Sequence, residues 1–336
     1  MLNPFAFLGL MLIPVFTFSS GQTHREAASH EQLPRLKSSR VVAVTIDDLP
    51  VAGAAEGDLR RAQQVTAKLL KQITAHNIPV VGFVNERKTH VPGKEKEWTD
   101  LLRQWADVGL ELGNHTYSHR SFQETPLEEF EAEVIRGETV IARLMRERRG
   151  MGLRYFRHPY LQTGPDPETK KAFERFLAER GYTVAPVTVG HYDWLYAAAY
   201  DKAQGNGALM KKVGKAYLDY MVEDFKFNEQ FSRDVLGYEV RQVLLLHANA
   251  LNADYLDEVV KMMKRRGYKF IPLGEVLQDE AYRRGDPYAG PLPMTWLQRW
   301  AIGQGGNPRK IPPAHAFVRE LSGMKEIMKD MERDEK

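Results

Sequence analysis

The chain has 336 residues, 43% hydrophobic and 27% charged, which is material for one large domain or two ordinary ones. Its 47 basic and 44 acidic side chains leave a formal charge of +3, too small to imply a nucleic-acid or membrane-surface partner. It contains no cysteine, which excludes disulfides, zinc–thiolate sites and thiol nucleophiles.

Residues 5–18 are nearly all apolar, and Ser19, Ser20 and Gly21 follow. A short apolar run closed by small residues predicts an export signal over 1–21, although no Lys or Arg precedes it. The run is shorter than the roughly 20 residues of a membrane span. The protein is therefore expected outside the cytoplasm, secreted or periplasmic. The run is either cleaved, leaving no integral membrane domain, or kept as an anchor. Residues 22–39 are polar and mixed in charge and read as a linker.

From Arg40 short apolar runs alternate with helical stretches. The runs are VVAVTID (41–47), PVVGFVN (79–85), LELGN (110–114), RYFR (154–157), YTVAPV (182–187), QVLLLH (242–247) and YKFI (268–271). They are too short for helices and suit buried parallel strands. Between them, 58–76 has Asp58 as its N-cap, 126–149 reads as one helix opened by Pro126, and 252–266 is amphipathic up to Gly267. The longer stretch 197–240 reads as a helical insertion whose aromatics, from Tyr217 to Phe231, are core. Seven β–α units in series predict an α/β domain over 40–282, with about seven parallel strands curled into a closed or nearly closed barrel. An open doubly wound sheet is the alternative. The extension 283–336 is rich in Pro and Gly, carries Trp296 and Trp300 four apart, and ends in a charged amphipathic helix. It is expected to fold back on the barrel by its tryptophans.

The chemistry-bearing residues follow these runs. Asp47 and Asp48 end VVAVTIDD, His115 and His119 form HTYSH after LELGN, Arg157 lies in RYFRHPY, Asp193 in GHYDW, and His247 ends VLLLH. Catalytic groups gather at the C-terminal ends of barrel strands, where the loops converge on one face. The repetition points to a metal-dependent hydrolase. Two histidines at i and i+4 on a helical turn reach one ion, and neutral imidazole suits zinc, cobalt, nickel or iron. A zinc protease wants Glu after the first histidine, and Thr116 stands there instead. One of the adjacent aspartates faces the metal and the other serves as base. Two His and one Asp leave positions open for water and a substrate carbonyl. His247 is the candidate acid for the leaving group.

TIDDLP, HTYSH, RYFRHPY, DW and LLLH stand in the order and spacing of the five motifs of the polysaccharide deacetylases, the NodB-homology domain of carbohydrate esterase family 4. The resemblance covers roughly residues 40–275. It implies a distorted (β/α) barrel and removal of N- or O-acetyl groups from chitin, peptidoglycan, xylan and related sugars. By position, it implies Asp47 as base and Asp48, His115 and His119 as ligands of a divalent ion. That ion is zinc first, with cobalt, nickel or manganese as alternatives. Arg157 pairs with the base, and Tyr160 lends a backbone N–H to the oxyanion. Asp193 orients the acid His247, with Trp194 packed beside it.

Three positions depart from the pattern. Leu49 and Leu161 stand where glycines are usual, and Gly190 replaces an aspartate before the Asp193–Trp194 pair. They are expected where loops meet substrate, so substrate identity is what they leave open. The leading expectation is deacetylation of an N-acetylated, chitin-like or peptidoglycan-like glycan. The alternatives are a cyclic imide or ureide hydrolase, an O-acetyl xylan esterase, or a non-catalytic glycan-binding protein. The oligomeric state is left open.

Overall fold

The computed structural model describes residues 40–324, His191 excepted; the predicted signal and linker (1–39) and the last part of the predicted terminal helix (325–336) lie outside the described residues. The strands are β1 (Val41–Leu49), β2 (Val80–Val84), β3 (Glu111–Asn114), β4 (Tyr155–Phe156), β5 (Thr183–Val184), β6 (Gln242–His247) and β7 (Lys269–Phe270). Every pairing is parallel, in the order β5-β4-β3-β2-β1-β6, with β7 on the first residues of β1. A parallel bridge between Val189 and Leu244 joins the segment after β5 to β6. The sheet thus curls towards a distorted barrel, and all seven runs read from the sequence appear in it. The residues of β2 are buried on both faces, as are those of β6 up to its last residue. That explains their unbroken apolar character.

Helices cover the sheet: α1 (Leu59–His76), α2 (Glu95–Asp107), α3 (Leu127–Arg136), α4 (Thr139–Arg149), α5 (Pro167–Glu179), α6 (Asp193–Lys202), α7 (Gly207–Leu236), α8 (Ala250–Arg265) and the short α9 (Leu273–Val276). Asp58 caps α1 by accepting the Arg61 N–H, and Asp166 caps α5 by accepting those of Glu168 and Thr169. On α7, Tyr217, Tyr220, Phe225 and Phe231 are buried, which is the core reading of those aromatics. Among the described residues no helix is long and apolar enough to cross a membrane.

The stretch 126–149 is not one helix. It breaks between α3 and α4 at Gly137. A Cβ there would lie 2.7 Å from the Thr116 carbonyl carbon and the Tyr117 nitrogen, so the break lets the HTYSH loop press against the helix backbone. Periodicity along one segment carries no trace of that tertiary contact.

Beyond β7 the chain crosses the C-terminal rim of the sheet as α10 (Trp296–Gly303) and α11 (Ala316–Ser322). Thr295 and Gln298 form a capping box on α10. Trp296 and Trp300 bury against Val187, Phe231 and Leu245, so this segment forms one wall around the ends of β5 and β6.

Candidate active site

β1 pairs in register with β6 as far as Asp47 and His247, and its pairing with β2 slips between Ile46 and Leu49. At the slip Asp48 takes φ 67°, a left-handed conformation that aspartate tolerates better than most residues. The kink breaks the strand alternation, so both carboxylates line one cavity.

His115 follows β3 directly. The predicted helical turn for HTYSH does not form: the segment is a loop, with Thr116 at φ 66° and His119 at φ 58°. Non-glycine residues in that region cost roughly 1–3 kcal/mol each and persist only where their surroundings hold them. Here Asn114 Oδ1 accepts the Thr116 N–H, Thr116 Oγ1 accepts the His119 N–H, and Glu133 on α3 accepts from Tyr117 and Ser118. The loop still brings the imidazole rings to 4.8 Å between centroids.

Asp48 Oδ1 lies 3.8 Å from His115 Nε2 and 3.7 Å from His119 Nε2. One ligand atom from each of the three falls within 4.8 Å of the others. Burial lowers both histidine pKa values, strongly for His115, and so favours neutral imidazoles. His115 Nδ1–H donates to the Arg157 carbonyl at 2.8 Å, which leaves the Nε2 lone pair facing Asp48. Burial would raise the Asp48 carboxyl, but Lys88 and the charged His247 outweigh it and hold it well below the usual range. Its Oδ1 is buried with no hydrogen-bond donor among the described residues. An anionic oxygen without a donor beside two neutral imidazoles is a donor set that fits a divalent cation.

Asp47 is 2% exposed, and burial pushes its carboxyl up to about 6 against the opposing pull of Arg157. Its Oδ2 accepts from Arg157 Nη1 at 3.2 Å, and its Oδ1 has no hydrogen-bond donor among the described residues. Arg157, fully buried, is fixed by Ala185 O and Thr45 Oγ1, both at 2.9 Å. Across the rim, His247 Nδ1 lies 2.7 Å from Asp193 Oδ1, and the Asp193 Oδ2 accepts the His247 N–H at 2.8 Å. Burial alone would lower the His247 pKa; the Asp193 carboxylate overrides it and raises the value to about 9.

Asp47, Asp48, His115, His119 and His247 line a cavity of about 870 Å³, with Tyr160 and Trp194 also on its wall. Of the candidate catalytic, substrate and metal residues, Arg157 and Asp193 do not line the cavity; they are buried behind Asp47 and His247. The Tyr160 side chain is half exposed and its ring sits 4.5 Å from that of His119. Trp194 packs near Tyr192, with centroids 6.1 Å apart.

The sequence reading missed three contributors. Lys88 Nζ donates to the Asp48 and Val51 carbonyls at 3.2 and 3.0 Å. Asn252 donates to Asp193 Oδ2 at 2.7 Å and to the His247 carbonyl at 2.9 Å. The C-terminal segment supplies Leu292, Met294 and Ile311 to the cavity wall. Of the three departures, Leu161 and Gly190 line the cavity, and Leu49 needs correcting. Leu49 is fully buried in the core, away from any substrate. Leu161 is 8% exposed and packs in the same cluster as Trp296 and Trp300. A Cβ at Gly190 would come within 3.0 Å of Thr295 Cγ2, so an aspartate there would meet the C-terminal segment.

A parallel sheet presenting carboxylates, neutral imidazoles and a charged Asp–His pair from its strand ends defines a hydrolase. Residues 35–185 match the polysaccharide deacetylase family. The chain is 21% identical over 249 residues to a peptidoglycan-N-acetylglucosamine deacetylase of Bacillus cereus, covering 72% of this chain and 70% of that one. Similar solved structures include a polysaccharide deacetylase of Bacillus cereus (19% identity, 69% of this chain and 91% of that one, TM-score 0.48). The peptidoglycan deacetylase PdaC of Bacillus subtilis is another (19%, 72% and 93%, TM-score 0.44). A third is a CE4 family pseudoenzyme of Bacillus anthracis (16%, 71% and 66%, TM-score 0.46).

Proposed function

We propose that the protein removes acetyl groups from N-acetylated sugars of a polysaccharide or oligosaccharide, chitin-like or peptidoglycan-like, with a divalent ion held by Asp48, His115 and His119. The observation that carries this reading is the donor-free Asp48 oxygen between two neutral imidazoles, beside a separate base and acid. Zinc suits these ligands first, with cobalt, nickel or manganese as alternatives. When bound, such an ion polarises a carbonyl and acidifies a water. The similarity to a peptidoglycan-N-acetylglucosamine deacetylase supports the substrate class. The apolar run 5–18 supports action outside the cytoplasm.

Asp47, made more basic by burial, takes a proton from water as it attacks the amide carbon, and Arg157 holds it in place. The Tyr160 backbone N–H faces the developing oxyanion. The Trp194 ring packs against the substrate. His247, kept protonated by Asp193, gives its proton to the departing amine. An amine is a poor leaving group and must be protonated, so a strongly held imidazolium suits an amide more than an ester.

This pairing has a pH signature. His247 is charged below about 9, and turnover should fall as pH rises through that value. Asp193→Asn removes the anion that raises the histidine, so the alkaline limb of the kcat profile should move to lower pH. A limb that stays put would count against the pairing.

The substrate class is tested by comparing kcat/KM on N-acetylglucosamine oligomers, acetylated xylan fragments and a ring imide. The oligomers should be preferred; a clear preference for either of the others defeats the reading.

A further inference from the structure

Tyr160 and Leu161 are consecutive non-glycine residues in the left-handed region, at φ 54° and φ 53°. Within the turn that contains them the Leu161 N–H donates to His158 O (3.1 Å) and the Gln162 N–H to Pro159 O (3.0 Å), and Ser121 Oγ reaches the Gln162 side chain at 2.9 Å. Such local bonds do not by themselves hold two unfavourable residues. The missing restraint comes from the C-terminal segment. Arg299, on α10 and fully buried, donates from Nη2 to the Leu161 carbonyl and from Nη1 to Thr163 Oγ1 at 2.9 Å. Its Nε donates to Met294 O at 3.0 Å, and Nη1 also reaches Tyr288 O at 3.3 Å and Asp286 Oδ2 at 2.8 Å. Asp286 balances the charge and is also paired with Lys170. Gln162 Nε2 on Pro291 O (3.0 Å) and Gly290 N on Gly164 O (3.0 Å) tie the same two segments together.

We infer that Arg299 is a positioning residue for the reaction: its guanidinium locks the 158–163 turn so that the Tyr160 backbone N–H is held towards the acyl oxygen. The inference rests on the reading of Tyr160 as oxyanion donor above. A planar fork can grip a carbonyl and a hydroxyl of one turn at fixed spacing; an ammonium cannot. The clamp also accounts for Leu161. Where glycine would adopt this conformation freely, leucine needs an external hold. An ion pair that merely tethered the C-terminal segment would have no reason to spend two donors on this turn.

The test is Arg299→Lys, which keeps the charge beside Asp286 and loses the fork. Two readouts are taken on folded protein. The first is kcat and KM on N-acetylglucosamine oligomers. The kcat should fall about ten- to a hundredfold with KM within about threefold, because the lost contact acts on the transition state. The second is amide exchange, which needs no substrate. The Leu161 and Gln162 amides should exchange at least about tenfold faster, while the Arg157 and Ala185 amides, bonded within the sheet, stay protected. Adding Leu161→Gly to Arg299→Lys should recover part of the lost kcat. Should Arg299→Lys not fold, Thr163→Val removes one acceptor without touching charge and should give the same pattern at smaller size. Unchanged exchange at Leu161 and Gln162 overturns the clamp whatever the activity. A wild type that releases no acetate from any glycan overturns the functional reading instead, and the exchange data then decide the clamp alone.

Discussion

Asp47→Asn should keep its metal and lose about two to four orders of magnitude in turnover, the usual worth of a general base. The geometry separates this residue from its neighbour. Both carboxylates stand 3.8 Å from His115 Nε2, but Asp48 Oδ1 is also 3.7 Å from His119 Nε2, whereas Asp47 Oδ2 is engaged by Arg157 Nη1 at 3.2 Å. Asparagine preserves an acceptor for Arg157, so the buried guanidinium keeps a partner and the fold should hold. Steady-state kinetics with metal analysis on the same preparation check this. Activity within a few-fold of wild type would mean that the base is another group.

His119→Ala should lose its bound metal and with it at least about a hundredfold in turnover, since the ion supplies several kcal/mol of charge stabilisation. His119 is partly exposed at the cavity wall, with its ring against those of His115 and Tyr160, so the thermal midpoint should move little. Elemental analysis of purified wild type and variant decides it. Stoichiometric metal surviving in the variant would remove His119 from the ligand set.

The barrel was legible in the sequence because buried parallel strands announce themselves as apolar runs: VVAVTID and QVLLLH became β1 and β6, paired in register over six residues. The five motifs likewise named residues that the fold gathers around one cavity. What stayed hidden was set by contacts distant in sequence. The i, i+4 spacing of His115 and His119 reads as a helical turn, yet the loop is shaped by Asn114, Glu133 and the backbone gap at Gly137. A β-branched Thr116 at positive φ is not forecast by its residue type. Lys88 and Asn252 reach the site from loops and helices with no motif of their own. Arg299 did leave a trace, a lone cation between the tryptophans of WLQRW, but its partners at 161 and 163 lie more than a hundred residues upstream.

The most direct measurement is acetate release from N-acetylglucosamine oligomers by chelator-treated protein before and after a divalent ion is returned. The chelated protein should be inactive, and one equivalent of zinc, cobalt, nickel or manganese should restore release, with one free amine formed per acetate. Full activity after verified metal removal would contradict the account.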